Sequence, residues 1–185
     1  MPSPPETQNG NEQGTDGISL PTIDSASFVD VLAAAANGVS IITTRHGDKI
    51  AGLTVSSMCS VCAEPPMFLA CVNADNEFCR LAIESQKFAI NILNASQHDI
   101  ANTFAGLTDT PEDNRFTSGL WAALTTGSPT LTEALVTLDC ELDSSLLRGT
   151  HRIFIGRVVN ARQQSGSPLV YTARGYARTE PNPET

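Results

Sequence analysis

The sequence predicts a mainly β protein built as a closed antiparallel barrel with helices packed outside it. About six or seven short runs rich in β-branched and apolar residues are separated by turn residues. Only about three stretches show helical spacing of their apolar residues, and strands follow one another more often than they alternate with helices. This order favours an antiparallel barrel over a parallel doubly wound sheet.

Three helices are predicted from apolar spacing and terminal residues. The first covers 25–37, with Ser25 or Ser27 at its start and Gly38 after its end. The second covers 75–85. The third covers 96–105, where Ser96 is expected to cap the first turn and Gly106 to end the helix.

The predicted strands are linked by recognisable turns. A hairpin turn is expected at 45–49, and the Pro65–Pro66 pair is expected to break the chain. The segment 107–130 is rich in Gly and Pro and is predicted to be a loop. The strands themselves are expected at 39–44, 50–60, 67–73, 88–93, 135–142, 151–162 and 168–171.

Length and composition indicate one globular domain between two polar tails. Residues 1–20 are almost free of apolar side chains and are predicted to form a disordered N-terminal arm, followed by the domain at 21–179 and a flexible tail at 180–185. The net charge of -9 argues against a nucleic-acid partner. We expect a cytoplasmic protein, because no secretory signal or membrane-spanning run of apolar residues is apparent.

Several common sites are excluded by the motifs that are missing. The sequence has no G-x-G-x-x-G after a strand, no P-loop and no G-x-S-x-G nucleophile elbow. The three histidines, His46, His98 and His151, share no ligand spacing, so no metal site is predicted. Any redox cofactor would have to bind outside a Rossmann fold.

One strand carries an unusual number of small hydroxyl side chains. Residues 51–66 read AGLTVSSMCSVCAEPP, with four Ser or Thr residues where a core strand is expected. A flavin needs such donors for the polar edge of its ring and for its phosphate, together with an apolar wall. A solvated edge strand would have the same composition, and composition alone leaves both interpretations open.

The ordered set of motifs along the chain resembles the flavin reductase-like family with the FMN-binding split barrel. The resemblance begins with GLTVSSMCSVCAEPP at 52–66 and LACVN at 69–73. It continues through FAINIL at 88–93, TFAG at 103–106, GTHRIFIG at 149–156 and PLVY at 168–171. It covers about residues 26–178 and is closest to the small reductase components of two-component aromatic hydroxylases, such as those of 4-hydroxyphenylacetate 3-monooxygenase and chlorophenol monooxygenases.

The resemblance implies a fold and a set of site residues. The fold is an antiparallel Greek-key split barrel with flanking helices. His151 is implied as the catalytic residue, beside the nicotinamide. The implied cofactor-binding residues are Thr54, Val55, Ser56, Ser57, Ser60, Val61, Cys62, Asn73, Asn76, Phe104, Tyr176 and Arg178. In the turn at 74–77, where relatives carry Ser or Arg near the flavin phosphate, this chain is acidic. Arg80 or Lys87 could supply the missing positive charge, although a solvated surface position is the favoured interpretation for each.

The resemblance also implies an activity and partners. The implied activity is an NAD(P)H:flavin oxidoreductase that reduces FMN or FAD with NADH or NADPH and supplies reduced flavin to a flavin-dependent monooxygenase. A homodimer is implied, since split barrels of this family pair with flavin near the interface. The alternative is a split-barrel flavin-binding protein of another class, either pyridoxamine-phosphate-oxidase-like or a non-catalytic flavin store.

The five cysteines invite a separate redox hypothesis. Cys59 and Cys62 have the C-x-x-C spacing of thioredoxins. That motif depends on a helix N-terminus to lower the thiol pKa, whereas these residues are predicted at the end of a strand. We therefore expect reduced thiols, with Cys71, Cys79 and Cys140 as small core residues.

Overall fold

A computed structural model describes residues 20–180, so the predictions for 1–19 and 181–185 lie outside it. The helices are α1 (Ser25–Leu32), α2 (Glu77–Ser85) and α3 (His98–Phe104), with one 3-10 helix at Glu112–Thr117. The strands are β1 (Asn37–Gly38), β2 (Ser40–His46), β3 (Lys49–Val55), β4 (Met58–Ala63), β5 (Pro66–Asn73), β6 (Lys87–Ile92), β7 (Trp121–Ala123), β8 (Pro129–Leu131), β9 (Val136–Arg148), β10 (His151–Gln163), β11 (Leu169–Thr172) and β12 (Gly175–Arg178).

Seven of these strands form one antiparallel sheet in the order β3-β2-β6-β9-β10-β5-β4. The two strands at its edges, β3 and β4, follow each other in the chain and are separated only by Ser56 and Ser57. The chain therefore leaves one edge of the sheet and enters the other, which curls the sheet into a barrel. This confirms the predicted mainly β, antiparallel architecture.

The prediction of one continuous strand at 50–60 is wrong, because the structure has two strands there, β3 and β4. Its first part pairs with β2 up to the Ser40–Val55 partners, and its second part pairs with β5 from the Met58–Ala70 partners onward. The partner changes at two consecutive serines, and local composition does not record which strand a segment pairs with. Ser56 and Ser57 lie at that change, which we call the bend.

Aromatic residues fill the barrel interior. Phe78 from α2 packs edge to face on Phe154 of β10, with ring centroids 5.4 Å apart, and Phe88 of β6 lies 6.3 Å from the same ring. All three side chains are fully buried. Apolar residues at helical spacing on α2 therefore serve the core, and the helix packs against β2, β3 and β6.

A second apolar cluster lies outside the barrel wall, beneath α3 and β8. It contains Val39, Ile41, Leu93, Ala101, Phe104, Leu131, Ala134 and Leu169. The buried Asn91 side chain joins this layer to the barrel, since it donates to the Ile41 carbonyl at 3.1 Å and accepts from the Leu131 N–H at 2.8 Å. Buried amides stabilise a fold only when their polar atoms are paired in this way.

Helix ends differ from the prediction in two of three cases. α1 ends at Leu32, five residues earlier than expected, and its first turn is capped by Asp24. α3 begins at His98 with no side-chain cap, so the predicted capping role of Ser96 is wrong. The predicted end of α3 is confirmed by Gly106, whose positive φ of 72° follows the last turn.

Four features of the strands were not predicted from the sequence: β7, β8, the full length of β9, and β12. The predicted loop at 107–130 contains the 3-10 helix, β7 and β8, which pair with each other as a short ribbon. β9 extends six residues beyond the predicted end at 142, as far as Arg148, and β12 was not expected. Such short or polar strands are determined by tertiary pairing more than by their own composition.

No helix within residues 20–180 is long and apolar enough to cross a membrane.

Gly156 should be intolerant of any side chain, because β10 passes directly over the barrel core there. A Cβ at this position would lie 2.5 Å from Phe88 Cζ and 2.8 Å from Cys140 Cβ. We expect Gly156→Ala to lower the free energy of unfolding by about 1–3 kcal/mol, as overpacking of a core does. Urea denaturation followed by circular dichroism measures this change.

The matched control is Gly175→Ala in the β11–β12 hairpin, where an added Cβ meets no atom within 4 Å. It should change the free energy of unfolding by less than about 0.5 kcal/mol. Equal stability of the two variants would contradict the packing described for β10.

Candidate functional site

Four of the predicted site residues lie at the bend or directly before it. Thr54 Oγ1 donates to the Ala101 carbonyl of α3 at 2.7 Å, so this hydroxyl is committed to holding the helix. Val55 is buried, Ser56 is half-buried and Ser57 is exposed. Ser57 also accepts the Cys71 N–H through its carbonyl oxygen at 2.9 Å, which fixes the bend against β5.

A cleft of about 210 Å³ opens beside the bend. Tyr171 and Tyr176 form its far wall, with their rings edge to face at 5.7 Å. The Tyr176 hydroxyl donates to Asn102 Oδ1 at 2.9 Å, and partial burial together with nearby Tyr171 raises the pKa of Tyr176. The phenol is therefore a neutral donor. The remaining lining residues are Val39, Thr54, Val55, Ser56, Ala105 and Leu107.

Strand β4 is a free edge of the large sheet. Ser60, Val61 and Cys62 are all exposed on it, and the register shifts at Val61 through a bulge. An edge strand presents backbone N–H and carbonyl groups that no neighbouring strand uses. Together with the exposed hydroxyls of Ser57 and Ser60, this edge offers donors and acceptors to a ligand.

All five cysteines are free thiols. Cys59 and Cys62 are exposed on strand β4 and do not lie in the first turn of a helix, the position that activates such a pair. Burial raises the pKa of Cys79 to about 11 and that of Cys140 to about 12, so both stay protonated at neutral pH. Cys71 is half-buried, and burial raises its pKa as well.

His151 lies at the start of β10, where it is paired on both sides. Its partner on β5 is Asn73 and its partner on β9 is Arg148. Thr150 Oγ1 lies 2.9 Å from His151 Nδ1, which leaves Nε2 as the ring nitrogen open to a ligand. The Thr150 carbonyl accepts the Ala74 N–H at 3.0 Å, so the turn before His151 is fixed to the end of β5.

Two predicted cofactor-binding residues have structural roles. Asn76 is the N-cap of α2, where its Oδ1 accepts the Phe78 N–H at 2.9 Å. Phe104 is 1% exposed and packs on Phe116 and Trp121, with ring centroids at 5.1 and 5.3 Å. The Phe104 side chain therefore has no surface to offer a ligand, and its apolar character reflects the core beneath α3.

Arg80 does not provide the missing positive charge near the predicted phosphate position. Arg80 is paired with both Glu77 and Glu84, so it is not available to a phosphate. Asn73 Oδ1 accepts the Asp75 N–H at 3.0 Å, which closes the turn internally. Arg178 is exposed at the end of β12 in the small three-stranded sheet and makes no ion pair within residues 20–180.

A larger cavity of about 380 Å³ lies elsewhere, between the β2–β3 hairpin, α2 and the 3-10 helix. Four carboxylates, those of Asp48, Glu77, Glu112 and Asp113, line it together with one lysine, Lys49, so its lining is strongly acidic. Such a surface repels phosphate-bearing ligands at neutral pH. The smaller cleft beside the bend is therefore the better candidate for an anionic cofactor.

The residues at the bend and on β4 fit a flavin. The exposed hydroxyls of Ser57 and Ser60 and the unpaired edge of β4 supply hydrogen-bonding groups, and the tyrosine-lined cleft supplies an apolar wall. Within residues 20–180, no cluster of three His, Cys, Asp or Glu side chains is placed to hold a metal ion.

The relatives found by sequence comparison are named as reductases or reductase components. The chain is 36% identical over 160 residues to an FMN reductase (NADH) RutF from Pseudomonas syringae pv. syringae (strain B728a), covering 86% of this chain and 89% of the relative. It is 38% identical over 152 residues to the reductase component of a 4-nitrophenol 4-monooxygenase/4-nitrocatechol 2-monooxygenase from Rhodococcus opacus, covering 82% and 80%.

A solved structure shares the fold. BorF, the flavin reductase component of a bacterial two-component tryptophan halogenase, superposes with a TM-score of 0.77 at 29% identity, covering 86% of this chain and all of BorF. The model of the flavin reductase like domain matches residues 32–180. With the barrel, its bend and these matches in agreement, the chain belongs to the flavin reductase like domain family.

Proposed function

We propose that this chain is a flavin reductase that transfers a hydride from NADH or NADPH to FMN or FAD. The observation that carries the proposal is the position of His151 in a chain of this family. His151 is on β10, and β5 lies between β10 and β4 in the sheet. Its partner on β5 is Asn73, and the same strand donates the Cys71 N–H to the Ser57 carbonyl at the bend. The bend and His151 therefore lie near the same end of β5, because Cys71, which donates to the Ser57 carbonyl, is two residues from Asn73.

The bend provides the flavin side of the proposed site. Ser56 and Ser57 lie where the backbone changes partners, beside the apolar cleft with its tyrosines. Their hydroxyls and the edge of β4 would bind the polar part of the ring, and the cleft would exclude water from the apolar part. When bound, the flavin supplies the hydride acceptor, and the protein supplies position and environment.

His151 provides the nicotinamide side. Because Thr150 occupies Nδ1, the Nε2 atom is free to contact the carboxamide of the nucleotide. Holding the two reactants in one orientation is the main contribution a protein makes to hydride transfer. We include Ser60, Val61, Cys62 and Asn73 in the proposed binding surface and assign Tyr176 and Arg178 to its outer part.

We further propose that reduced flavin passes to a partner monooxygenase. The Rhodococcus opacus relative is named as the reductase component of a monooxygenase, and BorF as the flavin reductase component of a two-component halogenase. The proposed flavin surface on β4 is open to solvent, which suits release of the product to another protein.

A homodimer is proposed from the exposure of α1. None of its residues is buried, although Phe28, Val29, Val31 and Leu32 are all apolar. Surface helices normally bury such a face, and an exposed one marks an interface. The helix is nonetheless held in place, because Asp30 pairs with Arg174. A second copy of this chain is the proposed partner of this face.

Steady-state oxidation of NADH and NADPH with added FMN or FAD tests the proposed activity. Flavin-dependent turnover with at least one nucleotide is expected. A protein that binds flavin, as seen in its visible spectrum, but oxidises neither nucleotide would instead be a flavin-binding protein of another class.

Replacing His151 should impair nucleotide use without unfolding the protein. We expect His151→Gln to lower kcat/KM for the nucleotide by about 10- to 100-fold, because loss of orientation slows the transfer. The control is His46→Gln at the β2–β3 hairpin, also exposed and remote from the bend. Equal activity of both variants would remove His151 from the site.

The α1 interface can be tested by introducing a charge. Val31 is 71% exposed, so Val31→Glu costs the monomer little but would place a carboxylate in the proposed contact. We expect a dimer for the unmodified chain and a monomer for this variant in size-exclusion chromatography with light scattering. Ser165→Glu, in the exposed loop after β10, should remain dimeric. A dimer that survives Val31→Glu would contradict this interface.

A further inference from the structure

We propose that Arg148 forms an oxyanion site that binds a phosphate of the substrates, an inference that rests on the proposed reductase function. The ligand chemistry is a phosphate ester or pyrophosphate, carried either by the nicotinamide dinucleotide or by the flavin. No sequence motif assigned a role to Arg148, because the predicted strand ended at 142.

The hairpin between β9 and β10 places Arg148 beside His151. Only Gly149 and Thr150 separate the two, and Arg148 and His151 are direct partners in the ladder. Gly149 has a φ of 55°, as the first residue of a tight two-residue turn requires. Directly paired residues project from the same face of a sheet at Cα separations of about 4.5–5.5 Å. The side chains of Arg148 and His151 therefore start from the same face of the sheet on adjacent strands.

Three adjacent strands extend this pair into a polar row. Arg148, His151 and Asn73 occupy equivalent positions on β9, β10 and β5. The next residues on the same face, Leu146, Ile153 and Cys71, are apolar and likewise in register. The row thus forms the polar rim of an apolar sheet face, an arrangement that suits a ligand with a flat ring and an anionic end.

The charge of Arg148 is not used by the fold. Within residues 20–180, the Arg148 side chain makes one hydrogen bond, to the carbonyl of the preceding residue, Leu147, at 2.8 Å. Four other arginines are paired with carboxylates, namely Arg80, Arg115, Arg157 and Arg174. Arg152 and Arg162 donate to Ser145 and to the Leu131 carbonyl.

An exposed guanidinium is well suited to bind a phosphate. Its planar array of donors matches two phosphate oxygens at once. The chain carries a net charge of -9, which opposes the approach of anionic substrates. A positive charge in register with His151 would offset this repulsion where the nucleotide is proposed to bind.

Kinetics of Arg148→Gln test the proposal. At low ionic strength, KM for the phosphate-bearing substrate should rise about tenfold, as loss of a charge-assisted hydrogen bond predicts, while kcat changes less than twofold. The increase should shrink in 0.5 M NaCl, and Arg148→Lys should recover part of the loss. Arg45→Gln, an exposed arginine of β2 without an ion pair in the described chain, is the control and should leave both constants unchanged.

Comparison of FMN with riboflavin, which lacks the phosphate, identifies the source of the oxyanion. A higher KM for the nucleotide with either flavin assigns it to the dinucleotide. A higher KM for FMN with an unchanged KM for riboflavin assigns it to the flavin. The proposal is overturned if no KM rises more than twofold, or if Arg45→Gln has the same effect.

A binding measurement separates this proposal from the reductase activity. Inorganic pyrophosphate should shift the His151 ring resonances of the unmodified protein in NMR titrations, and the shift should be lost in Arg148→Gln. Absence of turnover in the unmodified protein would contradict the proposed function. A shift of the His151 resonances by pyrophosphate that depends on Arg148 would still support the phosphate site in that case. The same shift in both proteins would overturn it.

Discussion

The structure depends on closure of the barrel through the bend between β3 and β4. The sheet has two edges, and the chain connects them directly, so the bend must be held in place for the barrel to exist. The Cys71 N–H ties the bend to β5 by donating to the Ser57 carbonyl, and Thr54 Oγ1 beside the bend holds α3 by donating to the Ala101 carbonyl. The same change of partners leaves Ser56 and Ser57 with side chains that face a cleft or solvent, and this couples barrel closure to the proposed site.

The polar residues of the chain divide into two groups by their contacts. Thr54, Asn76 and Asn91 are committed to backbone partners and determine how helices and the β8 layer join the barrel. Ser57 and His151 are exposed and keep polar atoms available. Residue type alone does not separate these groups, because a threonine hydroxyl can satisfy a carbonyl in the fold as readily as it can bind a ligand.

Much of the fold was predictable from local pattern. β2, β5, β6 and β10 lie close to the predicted bounds, and α2 follows its apolar spacing, because each of these elements buries one continuous face. The bend was not predictable, since hydrophobic alternation does not record which strand is the partner. β12 is only four residues long, and the far half of β9 mixes Asp143, Ser144 and Ser145 with exposed leucines, so neither shows a clear hydrophobic alternation.

The candidate site was predicted in part, and the reasons are specific. Thr54, Val55, Ser56 and Tyr176 do meet at one cleft, although they come from opposite ends of the chain. Phe104 was misplaced because a buried aromatic ring and a ring that packs on a cofactor look alike in sequence. Arg148 was not among the predicted residues, and the proposal for it depends on a hairpin register that only the pairing of β9 with β10 reveals.

A crystal structure of the chain with bound FMN tests the central claim most directly. The flavin ring should lie against residues 54–57 and the edge of β4, with open space over it beside His151. A flavin bound in the acidic cavity lined by Asp48 and Glu112, or with the bend residues hydrogen-bonded only to water, would contradict the claim.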